Sequence, residues 1–345
     1  GDAWVKKENY VGNGAYKLAN HIINEKIEFE RNPLYWNDKE TVINSATFLA
    51  IENPSTDVAR YRAGDLDMTS YALPPEQFAK LQKELPGEVF TTRTLATYSY
   101  ELNNKKAPFD NVNVRKALNL SLDRNVITDK VLGQGQTPTY VFTPTYIEEG
   151  QLIQQPAYSK EPMAQRNEEA IKLLEEAGYS KANPLKFSIL YNTNENHKKV
   201  AIAAASMWKA NTKGLIDVKL ENQEWKTYID SRRAGRYDAA RAGWNADYNQ
   251  ATTFGNYFLS NSSNNTAKYA NPEYDKAIAE SYVATDAEGR AKAYAKAEEI
   301  LAKDFGIVPI FNYVNPRLVK PYVKGYSGKD PQDHIYLRNL YIIKH

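Results

Sequence analysis

The sequence predicts an α/β protein in two lobes, with mixed sheets, flanking helices and a hinged cleft. Three observations carry that expectation. From Asn167 to Gly243 strand-like and helix-like stretches alternate strictly, the pattern of a sheet with helices on its faces. Val89–Asn103 is a Thr- and Tyr-rich extended run, well beyond the usual strand of about five or six residues, as expected of a chain crossing between lobes. The length of 345 residues allows two cores.

Taken in order, Gly12-Asn13-Gly14 is a turn before the alternating Tyr16–Phe29 region, which reads as paired strands. Asn32–Asn37 is a loop by its Pro and Asn content, and Thr47–Ile51 a short strand. Ser55 is a candidate cap for a helix over Thr56–Ala63, which Gly64 ends. Asp65–Tyr71 reads as a further strand, and Pro74-Pro75 opens a helix over Glu76–Leu85. That order suggests βαβ units with some parallel sheet. Asp110–Leu122 and Asp123–Leu132 read as helices, with Asp110 or Asn111 and Asp123 as caps, and Gly133–Glu161 as an extended surface excursion. Helix Asn167–Ala177, strand Leu185–Tyr191, helix Glu195–Asn211, strand Ile216–Leu220, helix Glu224–Arg233 and strand Tyr237–Gly243 follow, with right-handed crossovers expected. Helices Glu273–Val283 and Ala287–Lys303 and strand Ile307–Tyr313 complete this lobe, and the tail Arg317–His345 returns strands to the first.

Composition limits the chemistry. Net charge is +2 from 44 basic and 42 acidic residues without a basic block, so nucleic acid and anionic membrane are not expected partners. No window approaches the ~18 unbroken apolar residues of a membrane span. No charged-then-apolar leader stands at Gly1, so a signal peptide is expected to have been removed or to lie upstream. Zero cysteine excludes thiolate catalysis and Cys-ligated zinc. The histidines His21, His197, His334 and His345 form no i, i+4 pair, and no Gly-x-Ser-x-Gly elbow, Walker loop or dinucleotide fingerprint occurs. No cofactor or metal is expected, and no catalysis. Paired carboxylates for glycoside hydrolysis stay open, because 42 acids offer many pairs.

The run Arg241-Ala242-Gly243-Trp244-Asn245-Ala246-Asp247-Tyr248-Asn249 is a poor recipe for core, since a strand leads straight into a carboxylate between two large aromatics. An ordinary strand-end turn with Trp244 packed inward is one reading. Capture of a zwitterion is the other. Asp247 supplies an anion for an α-ammonium, while Arg232 and Arg241 supply forked cations for a carboxylate. Backbone from Ala242 to Asn245 can pair with an extended ligand as an added strand, with Trp225 and Trp244 as pocket walls. Trp225 and Trp244 suit core equally, and Arg232 and Arg233 suit a solvated helix face. In open α/β sheets ligands sit off the carboxyl ends of strands, where Asp247 and the segment Tyr191–His197 fall. The 25 tyrosines fit a binding surface.

The segments Val11–Leu18, Arg31-Asn32-Pro33-Leu34-Tyr35-Trp36, Arg60–Asp67 and Asn103–Phe109 resemble periplasmic oligopeptide-binding proteins of ABC importers. So do Leu190–Lys199, Glu221–Arg232, Arg241–Asn249, Ser262–Ala267 and the tail Tyr341-Ile342-Ile343-Lys344-His345, colinear over essentially the whole chain. The resemblance implies a two-lobed solute-binding protein of type II, in the dipeptide and oligopeptide group. It would bind short peptides in extended form in an interlobe cleft, as a periplasmic monomer delivering them to membrane ABC permease subunits. On that pattern Asp247 binds the peptide α-amino group and Trp225 and Trp244 wall the pockets. Arg232, Arg241 and His197 line the side where ligand carboxylates are neutralised, and Asn264, Gly243 and Glu101 are further cleft positions. The first lobe would take 1–95 with 316–345, and the second, 96–315, would carry most of the ligand site. Murein-peptide receptors share many of these segments; a carbohydrate-binding module or glycoside hydrolase remains the reading from another class.

Two departures from the family pattern stand out. The family places a further large amino-terminal portion before Gly12-Asn13-Gly14, and Ser99 and Asn245 replace residue types common in near relatives, so pocket dimensions are expected to differ.

Overall fold

The structure is a computed structural model describing Ala3 and residues 6–345. Gly1, Asp2, Trp4 and Val5 lie outside the described residues, and with them the leader expectation at Gly1 and the start of the first lobe. The chain divides into two compact units, Gly1–Thr92 with Asn315–His345, and Arg93–Val314.

The first unit opens with β1 (Tyr16–Ile22), β2 (Lys26–Arg31) and β3 (Ser45–Leu49), an antiparallel sheet in chain order. Helix α1 (Pro54–Ala63) begins at Asn53, not Ser55: the Asn53 side chain accepts the Ser55 and Thr56 amides, and Gly64 at φ +90° closes the helix. Helix α2 (Pro75–Glu84) packs with α1 around Val58, Tyr61, Leu73, Phe78 and Leu81. The strand expected over Asp65–Tyr71 is absent apart from one antiparallel bridge, Met68 to Val319. Asp57 accepts both the amide (2.7 Å) and the hydroxyl (2.6 Å) of Ser70, while the Thr69 amide donates to the Leu318 carbonyl (3.0 Å) and the Asp67 carbonyl accepts the Lys320 amide (2.9 Å). The parallel βαβ arrangement expected here is therefore replaced by an antiparallel sheet and two helices.

Strand β4 (Val89–Leu102) runs across the boundary into the second unit, where α3 (Val112–Leu120) starts at the Asn111 cap. The second expected helix is a π-helical segment, Val126–Leu132. After β5 (Thr137–Pro138) and α4 (Met163–Glu176) come β6 (Leu185–Asn192), α5 (Glu195–Asn211), β7 (Ile216–Gln223), α6 (Trp225–Arg233) and β8 (Ala239–Asn245). Then follow α7 (Thr252–Gly255), α8 (Pro272–Val283), α9 (Ala287–Lys303) and β9 (Ile307–Leu318). The tail adds the antiparallel ribbon β10 (Val323–Lys324) and β11 (Tyr341–Ile342) to the first unit.

Gly133–Glu161 is not a surface excursion: Tyr140, Val141, Phe142, Thr143, Ile147 and Ile153 are buried. Irregular backbone can be buried only when its amides find acceptors. Glu298 of α9 provides them, accepting the Phe142 amide (3.0 Å), the Thr143 amide (2.8 Å) and the Thr143 hydroxyl (2.6 Å).

The six strands of the second unit lie in the order β5-β9-β4-β8-β6-β7. β6 is parallel to β7 on one side and to β8 on the other. The connection out of β6 runs to β7 on one side and that out of β8 runs toward β9 on the other, so the gap between β6 and β8 is a topological switch point, where such sheets leave room for a ligand. Alternation along β4 serves two cores. Tyr98, Tyr100 and Leu102 join the cluster with Trp208 of α5, while Leu95 joins the cluster around Phe142, Phe254 and Tyr257.

Candidate functional site

The site grows from how β8 pairs. It is antiparallel to β4 from Ala239↔Leu102 to Asn245↔Ala96, yet it meets β6 at Ala239 and Ala240 alone. Beyond Ala240 the two parallel strands splay apart while β6 stays paired with β7 through Asn192. The Ala246 amide donates to the Leu95 carbonyl (2.8 Å) and the Asn103 amide to the Asp238 carbonyl (3.1 Å). Even-numbered residues of β8 therefore face β4, and the backbone groups of Arg241, Gly243 and Asn245 face the gap. The Tyr228 hydroxyl donates to the Arg241 carbonyl. Gly243 and Asn245 present a strand edge without a strand partner, able to accept an extended chain.

Arg241, Gly243 and Asn245 share one sheet face with Tyr98 and Tyr100, which lie opposite them. Nη2 of Arg241 donates to the Tyr313 hydroxyl, and its guanidinium lies 5.2 Å from the Tyr98 ring centre. Gly243 makes that course possible. A Cβ there would stand 2.9 Å from both Arg241 Nη2 and the Tyr313 hydroxyl, closer than side chains pack. A guanidinium keeps its proton in proteins. Among the described residues no carboxylate forms an ion pair with Arg241, and its buried Nε has no hydrogen-bond partner. Phenol oxygen and π faces are its nearest company, which leaves an anion's place open.

His197 sits in the first turn of α5, its amide accepted by the Asn194 cap (3.1 Å) and its ring 5.6 Å from Tyr98. Burial, then the Arg241 charge, hold its pKa well below the ordinary imidazole value.

The other sheet face corrects one expectation. Arg232 does not stand free for a ligand carboxylate: Nη2 lies 3.1 Å from each Glu101 oxygen, 3.0 Å from the Tyr257 hydroxyl and 3.1 Å from Thr266 Oγ1. Glu101, expected as a cleft position, is 1% exposed and also accepts the Tyr257 (2.5 Å) and Thr266 hydroxyls. Burial alone would lower the Arg232 pKa, and the Glu101 carboxylate more than reverses this, raising it well above its ordinary value. Glu101 alternates with Tyr100 along β4 and so points away from Arg241; a carboxylate buried there requires a cation. Arg232 and Glu101 satisfy each other internally.

Asp247 follows β8 and is exposed. Its Oδ2 accepts the Thr253 hydroxyl (3.1 Å), whose oxygen accepts the Asp247 amide (3.1 Å); Oδ1 carries no bond and no cation pairs with the carboxylate among the described residues. The Trp244 Nε1 donates to the Thr253 carbonyl (2.9 Å), and its ring meets Tyr257 edge-on at 4.8 Å. Trp225, 55% exposed at the start of α6, stacks at 5.8 Å on Tyr228, the residue that takes the Arg241 carbonyl. Asn245 is exposed at the end of the open edge. Asn264 is exposed in its loop with its amide on Ser262 Oγ (3.3 Å), and no contact joins it to this group; its neighbour Asn265 braces the loop through the Phe258, Leu259 and Tyr269 carbonyls.

The structure thus gathers Arg241, Gly243, Asn245 and His197 on one face and Trp244, Arg232 and Glu101 on the other, with Trp225 and Asp247 near the ends of the gap. Sequence reading missed Tyr98, Tyr228, Tyr257, Tyr313 and Thr253. The abundance of tyrosine was the one available signal, and Thr253 left none. Among the described residues no group of three His, Asp or Glu side chains is placed to hold a metal, and no helix is long and apolar enough to cross a membrane.

The sequence pattern of the bacterial extracellular solute-binding proteins, family 5 Middle, matches residues 1–266. The chain is 97% identical over 345 residues to the periplasmic oligopeptide-binding protein OppA of Haemophilus influenzae, covering 100% of this chain and 64% of that protein. It is 43% identical to the periplasmic murein peptide-binding protein MppA of Escherichia coli, again covering 100% of this chain and 64% of that protein. A crystal structure of Haemophilus influenzae OppA in complex with RPPGFSPFR matches with a TM-score of 0.96 at 96% identity, over 100% of this chain and 67% of the other. The chain therefore spans less than two thirds of the length of these curated relatives.

Proposed function

Because this chain belongs to family 5 of the bacterial extracellular solute-binding proteins, we propose that it binds short peptides in extended form and hands them to an ABC permease, without catalysis. The periplasm is the compartment this reading requires, as for the relatives named above. The observation that carries it is the open edge of β8, bounded by an unpaired cation at Arg241 and an unpaired carboxylate at Asp247.

The parts divide the work by chemistry. The edge groups of Gly243 and Asn245 pair with ligand backbone, which every peptide has, so affinity is blind to side chains. Asp247 Oδ1 takes the α-ammonium by a charge-assisted hydrogen bond. Arg241, lying back over Gly243, takes the carboxylate of a ligand running antiparallel to β8, with neutral His197 beside it. Gly243 and Asp247 are four positions apart, roughly 13 Å along an extended chain, the span of about four residues. A longer ligand would keep the ammonium contact and pass Arg241. Trp225 and Trp244 give apolar walls without naming a side chain.

Native mass spectrometry of the purified protein tests this reading. Co-purifying peptides, displaced by added trialanine, are the expected result; retained oligosaccharide, or turnover of peptides or sugars, would favour the carbohydrate or hydrolase reading.

A further inference from the structure

Thr253 lies behind the carboxylate and is buried, 4% exposed, in the short helix α7. Its hydroxyl oxygen is approached by two N–H groups, the Asp247 amide at 3.1 Å and the Trp244 indole at 3.3 Å. A hydroxyl has two acceptor sites and one hydrogen. Both approaching groups can only donate, so the hydrogen is left for Asp247 Oδ2, 3.1 Å away. The Thr253 carbonyl holds the same indole at 2.9 Å. One residue thus holds the Asp247 backbone, the Asp247 carboxylate and the Trp244 ring, and leaves Oδ1 as the free acceptor.

The short helix that carries Thr253 is tied into the core on either side of it. The Thr252 hydroxyl meets the Tyr294 hydroxyl at 2.9 Å, Phe254 packs edge-on to Phe142 at 5.2 Å, and the Gly255 carbonyl accepts the Tyr274 hydroxyl at 2.8 Å. On the far side Trp244 rests against Tyr257, which the Glu101–Arg232 pair anchors. A tie from a fixed element to an exposed side chain removes rotamers that ligand binding would otherwise have to freeze.

We propose that Thr253 is a positioning residue for ammonium recognition: it touches no ligand and sets affinity by holding Asp247 in its receiving rotamer. This rests on the peptide reading of Asp247. The test is calorimetry with trialanine and N-acetyl-trialanine on wild type, Thr253→Val, Thr253→Ser and Asp247→Asn, with thermal melts to confirm folding. Thr253→Val is expected to weaken free-amine binding roughly three- to tenfold and leave the acetylated peptide unchanged, with Thr253→Ser restoring wild-type behaviour. Should the valine variant not fold, Thr253→Ala carries the same comparison. Wild-type affinity for trialanine in Thr253→Val, or equal losses for both peptides, would overturn the role of Thr253 while Asp247→Asn still loses affinity. Wild-type affinity in Asp247→Asn would instead remove the reading beneath it.

Discussion

Replacing Asp247 by Asn removes one charge and little else. The amide oxygen can still accept the Thr253 hydroxyl, which places the Asn nitrogen where Oδ1 now stands free. Two N–H donors then face the incoming ammonium in place of an acceptor. In the free protein the carboxylate is exposed, where a charge pair at about 4 Å is worth about 1 kcal/mol. A bound peptide excludes water and moves the pair toward the near-surface regime, where the same geometry is worth about 4 kcal/mol. A hydrogen bond to a charged group, about 1.5–3 kcal/mol, lies between these limits. With about 1.4 kcal/mol per decade, the expected loss is roughly ten- to a hundredfold or somewhat more. The assay is isothermal titration with trialanine, with N-acetyl-trialanine as the control that the variant should no longer distinguish. Unchanged affinity in the variant, or wild-type protein that binds the acetylated peptide as tightly as the free one, would exclude Asp247 as the ammonium partner.

Gly243→Ala places a Cβ where Arg241 Nη2 and the Tyr313 hydroxyl now lie, so the guanidinium must move; affinity for free-acid tetra-alanine, long enough to reach from Asp247 to Arg241, should fall roughly tenfold, with little change for its C-terminal amide. Glu101→Gln leaves Arg232 buried without a counter-ion, and should cost about 3–5 kcal/mol, read as a melting point lowered by roughly 6–20 °C. His197 has a folded pKa depressed by burial and by Arg241, so the unfolded chain binds its proton first. Its contribution to stability is full above the unfolded value of about 6.5 and is lost as pH falls from there toward the folded pKa, at up to about 1.4 kcal/mol per unit. His197→Gln should flatten that part of the denaturation profile, and an unaltered profile would contradict this origin.

What the sequence made legible was local. Helices α5 (Glu195–Asn211) and α9 (Ala287–Lys303) are legible from the helical spacing of their apolar faces, and in the structure the side chains of Asn194 and Asp286 cap them. Asp247, Trp244 and Gly243 stand out because a strand leads straight into a carboxylate between two large aromatics, although the same pattern also fits an ordinary strand-end turn with Trp244 packed inward. What failed depended on distant partners. The link between Glu101 and Arg232 spans 131 residues, and nothing around either residue announces it. Without it Arg232 reads as a free cation. Ser55 and Asn53 offer the same kind of cap in the local sequence, and only the folded backbone selects Asn53. The segment around Phe142 and Thr143 reads as surface in the sequence because the carboxylate that accepts its amides, Glu298 of α9, lies far along the chain. Thr253 was invisible because a threonine in a four-residue helix carries no signal until Trp244 and Asp247 are folded against it.

If an extended peptide adds to the open edge of β8, amide-resolved hydrogen exchange reads that edge directly. In the free protein the amides of Gly243 and Asn245 should exchange fast, while those of Ala242 and Trp244, which face β4, should already be slow. Saturation with trialanine should slow Gly243 and Asn245 and leave the other two unchanged. Calorimetric binding of the same peptide with no change at Gly243 or Asn245 would contradict addition at this edge.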